Sequence, residues 1–464
     1  MNRRNAIRYS LRLVSVLWLV GTFSGHAVAH GGSLRGTSES LSVPLWLFLL
    51  TGGGVVSASF LLASFVTDRT FIREIHDWRR RFAALSPDPL VTATRLFGVL
   101  ALVLITVGGL FAPSDARKNV AILVVWVGWW AGYTASVYLI GNTWPALNPW
   151  RTIADAVSMI YRTGKASYPE RLGAWPSVVG LLALVWLEVV SPLADDAELL
   201  VGVIVAYSVI TLTGALLFGS DRWFSTVDPV ARVFRYYGRV APIRRTESGF
   251  EFQLPGARLT ETKLVTGRDE VAFVVAILWV TTYDGFVATS LWADIAGVVV
   301  GVGVPPLLVY VLALLGGYAL FFGVYRLASK LTRTSAETYL TAGEIARRFA
   351  PSLLPIAAGY HLAHYLSYFL SLSPALFGAL SNPMNPPAPM MIVLPSWFGG
   401  LNLTFVLLGH LLAVWVAHAI AYDLFPSRLQ AIRSQYPLVA VMILYTMTSM
   451  WIVSQPTLAS IPYL

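Results

Sequence analysis

Apolar residues run along this chain in long blocks, broken by shorter polar stretches rich in arginine. Ten blocks follow the N-terminal leader, at 42–66, 95–112, 120–141, 173–192, 198–219, 270–292, 302–325, 349–371, 399–422 and 436–455. Each is close to the ~20 residues that a helix needs to cross the hydrocarbon layer. Backbone facing lipid must satisfy its own hydrogen bonds, so each block predicts a transmembrane helix. The predicted fold class is all-α, a polytopic helical bundle, with residues 30–464 as one membrane domain. Composition agrees. Of 464 residues, 56% are hydrophobic and 12% charged, about half the charged fraction of a soluble domain. The absence of cysteine excludes disulfides, thiolate metal sites, iron–sulfur clusters and a cysteine nucleophile.

Residues 1–29 read as a secretory signal peptide. Arg3, Arg4, Arg8 and Arg12 precede an apolar run from Leu13 to about Phe23, and Ala27-Val28-Ala29 supplies a small-x-small cleavage site. An uncleaved first membrane helix is the other reading. Cleavage would take the net charge from +9 to +5 and make His30 the N-terminus. Its α-amine and imidazole would then suit copper; otherwise His30 simply follows the cut.

Lys and Arg set the orientation. The loops 67–95, 142–171, 220–269, 326–348 and 423–435 hold 26 of them, whereas the alternate loops and mature N-terminus hold three, Arg35, Arg117 and Lys118. Basic residues collect on the cytoplasmic side. The mature chain is therefore expected to start outside, cross the cell membrane ten times and end outside, with 220–269 a cytoplasmic loop. The positive charge faces anionic lipid and is not a nucleic-acid footprint. Only four of the 33 basic residues are Lys, and codon bias accounts for that as readily as phosphate recognition.

Two inner loops look alike. Asn142-Thr143-Trp144 with Asn148-Pro149-Trp150-Arg151 follows the third span, and Ser220-Asp221-Arg222-Trp223 with Asp228-Pro229 and Arg232 follows the fifth. Each Asn-Pro or Asp-Pro is set to cap a helix with proline at its first position. In the longest inner loop Phe250, Phe252 and Leu254 alternate with polar residues, predicting a small hairpin. Arg73 to Arg81, around His76, reads as a basic amphipathic segment on the inner surface. Outside, Leu372–Gly400 is uncharged and proline-rich. Its Met384, Met390 and Met391 could bind Cu(I) through thioethers or serve as apolar cover.

The run Asn148-Pro149-Trp150-Arg151-Thr152-Ile153, the span from Arg171-Leu172-Gly173-Ala174-Trp175-Pro176 to Trp186-Leu187-Glu188, and Asp284-Gly285-Phe286 resemble the membrane proteins called fenitrothion hydrolases. The Ala29-His30-Gly31 start fits too, and the likeness spans roughly residues 29 to 455. It implies membrane-bound hydrolysis of an organophosphorus triester to a phenol and a dialkyl phosphate. It brings no catalytic motif that transfers residue by residue.

Ionisable groups within a span are costly and point to function. His361 and His364 lie about 60° apart on one face of span eight. His410 and His418 share a side of span nine, ~12 Å apart along its axis. With the spans antiparallel, His410 could come level with His361 and His364. Three imidazoles suit Zn²⁺ or Cu²⁺ with an open position, and two pairs would suit b-type haem. Interhelical hydrogen bonding with Tyr360, Tyr365 and Tyr368 is the plainer account. Asp284 in span six could orient a ligand, bind metal or act as a general base. Glu188 reads as interfacial. Asp68, Asp221 and Asp423 close spans at the inner face and read as ion-pair partners of nearby arginines. There is no Walker loop, dinucleotide fingerprint, Gly-x-Ser-x-Gly elbow or His-Glu-x-x-His.

Two classes of function follow. One is a hydrolase of lipophilic phosphotriesters, in which His361, His364 and His410 hold a metal and Asp284 is the base or orienter. The other is a permease or redox protein passing copper, or holding haem, through those histidines and His418, with His30 and the methionine loop collecting metal outside.

Overall fold

The computed structural model describes residues 45–83, 88–161, 163–164, 166–246, 249–455 and 462–463. The signal peptide and His30 lie outside the described residues. The architecture is a helical bundle: α1 Leu45–Phe65, α2 Arg69–Asp77, α3 Asp88–Phe111, α4 Val120–Leu139, α5 Pro149–Ile160, α6 Trp175–Val190, α7 Ala197–Phe218, α8 Pro229–Tyr237, α9 Arg268–Val287, α10 Ser290–Gly301, α11 Pro306–Ser335, α12 Ala342–Phe349, α13 Leu354–Ser381, α14 Phe398–Leu424 and α15 Arg428–Ser454, with short turns between. Seven of these (α3, α4, α7, α9, α11, α14 and α15) are long and apolar enough to cross a membrane. The count is eight if α1 and α2, bent 114° to each other, form one span.

The chain is a multi-pass membrane protein by this measure, and its surface explains why. Along α3, Leu96, Leu100, Val103 and Phe111 are all more than half exposed, a surface that lipid covers and water would not. The opposite extreme is α9, where Val271–Gly285 is buried throughout. α6, α11, α13 and α15 pack against it. The tightest contact is between α13 and α14. There Gly359 and Gly409 meet so closely that a Cβ on Gly359 would lie 2.6 Å from the Phe405 carbonyl oxygen and 3.0 Å from Gly409 Cα. Such small-residue crossings let helix backbones touch where no water drives them together.

Several boundaries depart from the sequence pattern. The helix expected at 349–371 runs ten residues past that end, because α13 continues through Pro374 to Ser381, and it is not among the helices counted above as able to cross. α6 has only 16 residues, and the block at 270–292 breaks after Val287 into α9 and the shorter α10. The bundle is also not purely helical. The expected hairpin is present as β2 Ile243–Thr246 and β3 Gly249–Gln253, and β1 Arg79–Ala83 joins it in the antiparallel order β1-β3-β2. The basic stretch 73–81 is therefore helix only to Asp77.

Both Asx-Pro steps work as expected. Asn148 caps α5 by accepting from Arg151 N at 3.0 Å, and Asp228 caps α8 by accepting from Ala231 N at 2.6 Å. Asp221 pairs with Arg151, and Asp423 with Arg348 at 2.6 Å, so both partners come from other loops. Asp68 instead caps α2 through Thr70 N at 2.8 Å.

Candidate functional site

Three elements bring polar side chains to one place inside the bundle. α13 supplies Tyr360, His361, His364 and Tyr365, which at spacings of three and four lie along one side of the helix. α9 supplies Asp284, buried together with Thr281 and Thr282 in a mainly apolar helix. α4 supplies Trp130 and Tyr138. Between Leu123 and Tyr133 α4 winds as a π-helix, a wider turn that commonly marks functional positions. Trp126, Trp129 and Trp130 all sit on that segment.

Tyr365 donates to Asp284 Oδ2 at 2.8 Å, and His364 Nε2 stands 3.8 Å from the same oxygen. His361 is fully buried. Its Nδ1 lies 3.0 Å from Tyr138 Oη, and its Nε2 has no partner within hydrogen-bond geometry. Trp130 meets the His361 ring edge-on at 5.3 Å, and Tyr365 tilts over it at 4.7 Å. A carboxylate held by a phenol beside an imidazole is placed to accept a proton.

These groups border a cavity of about 810 Å³, lined by Asp284, Glu188, Tyr360, His361 and Tyr365. Most of the remaining lining is apolar and aromatic, including Trp126, Trp129, Leu184 and Ile204, with Tyr133, Tyr207 and Thr281 among it. The size and the few convergent polar groups fit a drug-sized lipophilic molecule. α3 forms the outer wall. It is held close at Gly98, where a Cβ would collide with the Leu147 carbonyl oxygen, and again at Gly108 and Gly109 against Val120 and Val201. Over the roughly 15 Å between those points, Leu100, Leu104 and Ile105 of α3 line the cavity instead. Phe97 and Leu100 both line it and are about two-thirds exposed.

The histidines do not gather as the sequence suggested. Gly409 meets Gly359, so His410, one residue further along the antiparallel helix, sits roughly 4–5 Å along the axis from His361 and about 9 Å from His364. Its Nδ1 donates to the Val406 carbonyl at 2.8 Å. His418 is held by Gln435 Oε1 at 3.2 Å and the Val66 carbonyl at 2.9 Å. Among the described residues no three His, Cys, Asp or Glu side chains, His361, His364 and His410 included, are grouped to hold a metal ion. Met384 and Met390 are exposed, whereas Met391 packs near Leu372 and Ala375. His76 is not a surface group: its ring stacks on Trp415 at 5.9 Å, both nitrogens buried, and burial lowers its pKa against the pull of Asp77.

Sequence reasoning read Glu188 as interfacial and passed over Tyr138 and the π-helical tryptophans. Glu188 could have been found: it is the one acid in a helix whose Leu181, Leu184 and Val185 face the same cavity. Compared with protein-family models, curated proteins and solved structures, the chain has no match.

Proposed function

We propose that this chain is a hydrolase of the cell membrane that splits lipophilic organophosphorus triesters into a dialkyl phosphate and a phenol. The observation that carries this is the large, mainly apolar cavity within the membrane-protein bundle, with Asp284, His361 and Tyr365 on its lining. The resemblance of Asn148–Ile153, Arg171–Glu188 and Asp284–Phe286 to fenitrothion hydrolases supplies the substrate class. In this reading the triester enters from the lipid and its apolar groups occupy the aromatic walls. Asp284, oriented by Tyr365 and His364, takes a proton from water as the water oxygen bonds to phosphorus. The bond from phosphorus to the aryl oxygen breaks, and a phenolate leaves. With Tyr138 donating to Nδ1, His361 carries its proton on Nε2 and offers it to the phosphoryl oxygen. Water activation rests on Asp284 and needs no three-histidine metal centre.

The test is release of nitrophenolate from a dialkyl nitrophenyl phosphate by the protein in liposomes. Release in molar excess over protein supports the reading. No release, together with copper uptake or a haem absorption band in the purified protein, would replace it with the permease or redox alternative.

The same reading takes the chain as ten spans with a cleaved leader and both mature termini outside, on the strength of the loop charges. Reporter fusions at Pro242 and Pro387 should then report opposite sides, inner and outer. The same side for both would sink that topology.

A further inference from the structure

The small sheet gathers arginines. In its register Arg81 and Arg244 both lie opposite Glu251, and Arg79 lies opposite Gln253. Cross-strand partners and residues two apart share a face, so Arg79, Arg81 and Arg244 project to the side where Glu251 and Gln253 are buried. Arg239 and Arg258 come up to the same place. Arg239 Nη1 donates to Glu261 Oε2 at 2.6 Å, and Arg258 Nη1 to the Gly238 carbonyl at 3.4 Å. Arg258 Nε is buried without a hydrogen-bond partner, and the nearest carboxylate oxygen, on Glu261, is 3.9 Å away.

Five guanidinium groups therefore surround two carboxylates, Glu251, which Arg81 meets at 3.1 Å, and Glu261. Burial pushes Arg258 down to about 10, and Arg239, Arg244 and Arg79 add like charge that Glu261 alone opposes. Half-buried positive charge left unbalanced is costly unless an anion completes it. The arginines arrive from β1, β2 and two separate turns, so the anion must accept hydrogen bonds on several sides. A tetrahedral phosphate does this, and guanidinium forks match its oxygens. Both contributing loops carry the positive charge expected on the cytoplasmic side, where anionic headgroups present such phosphates.

We propose that Arg79, Arg239, Arg244 and Arg258 form a binding site for a phosphate group, carried either by the headgroup of an anionic lipid or by free phosphate. The site is separate from the cavity and does not depend on the hydrolase reading.

The test uses the full chain. Native mass spectrometry after reconstitution in mixed phosphatidylglycerol and phosphatidylcholine bilayers reads retained lipid, and calorimetric titration in neutral detergent reads inorganic phosphate. At least one probe should bind saturably, and Arg244→Gln and Arg258→Gln should each weaken it about tenfold. Arg333→Gln, on an exposed turn of α11, should leave it unchanged. Preferential retention of phosphatidylglycerol without phosphate binding assigns a lipid headgroup, and phosphate binding without lipid preference assigns the free ion; either supports the site. Because Arg258 is part of the packing, Arg79→Gln, on an exposed side chain, must also weaken binding. Failure of both probes to bind, or undiminished binding in the Arg244→Gln/Arg258→Gln double variant, overturns the proposal.

Discussion

Asp284→Asn should lower turnover of a dialkyl nitrophenyl phosphate by about two to four orders of magnitude, the usual contribution of a positioned general base. The amide has the shape of the carboxylate and can still accept from Tyr365 through its oxygen, but it cannot hold the proton taken from water. Substrate binding depends mainly on the aromatic walls, so KM should move much less than kcat. Tyr365→Phe should fall between wild type and Asp284→Asn, since it removes one orienting hydrogen bond and leaves the base. The measurement is nitrophenolate release in liposomes, with the thermal unfolding midpoint followed in parallel. Wild-type turnover in Asp284→Asn would end the role assigned to this carboxylate.

Gly359→Val should produce the largest structural effect. The new Cβ meets the Phe405 carbonyl oxygen and Gly409 Cα, which are backbone on a helix that cannot step aside locally. Overpacking a core costs about 1–3 kcal/mol where side chains can adjust; with backbone on the far side the cost belongs at the top of that range or above. α13 also carries His361, His364 and Tyr365, so activity should fall with stability. A thermal melt in detergent checks this against Gly316→Ala, where a Cβ meets nothing within 4 Å and the midpoint should hold. An unchanged midpoint in Gly359→Val would mean that α13 and α14 do not cross as closely as described.

What the sequence made legible was the membrane character and the identity of the costly groups. Apolar blocks and the bias of arginines to alternate loops are one-dimensional signals, and His361, His364 and Asp284 stand out against apolar neighbours. What it could not supply was the depth at which one helix meets another. The crossing of α13 and α14 is fixed by Gly359 and Gly409, and it sets His410 near the level of Gly359, about 9 Å along the axis from His364. Glu188 was misjudged for a related reason: closeness to the end of an apolar block suggested the interface, but α6 is short and its end is folded into the bundle. β1 was illegible because Arg79-Arg80-Arg81 has no alternation of its own; it is a strand because β3 offers it an edge.

The π-helical turn of α4 has an optical consequence. Trp129 lies 6.1 Å from Trp130 and 5.9 Å from Trp144, and Trp144 lies 6.4 Å from Trp150, all four on the cavity wall. Indoles this close pass excitation among themselves faster than they emit. A nitroaromatic occupant touching any one of them therefore drains the emission of the whole set, and the protein carries its own fluorescent gauge of whether the cavity is full.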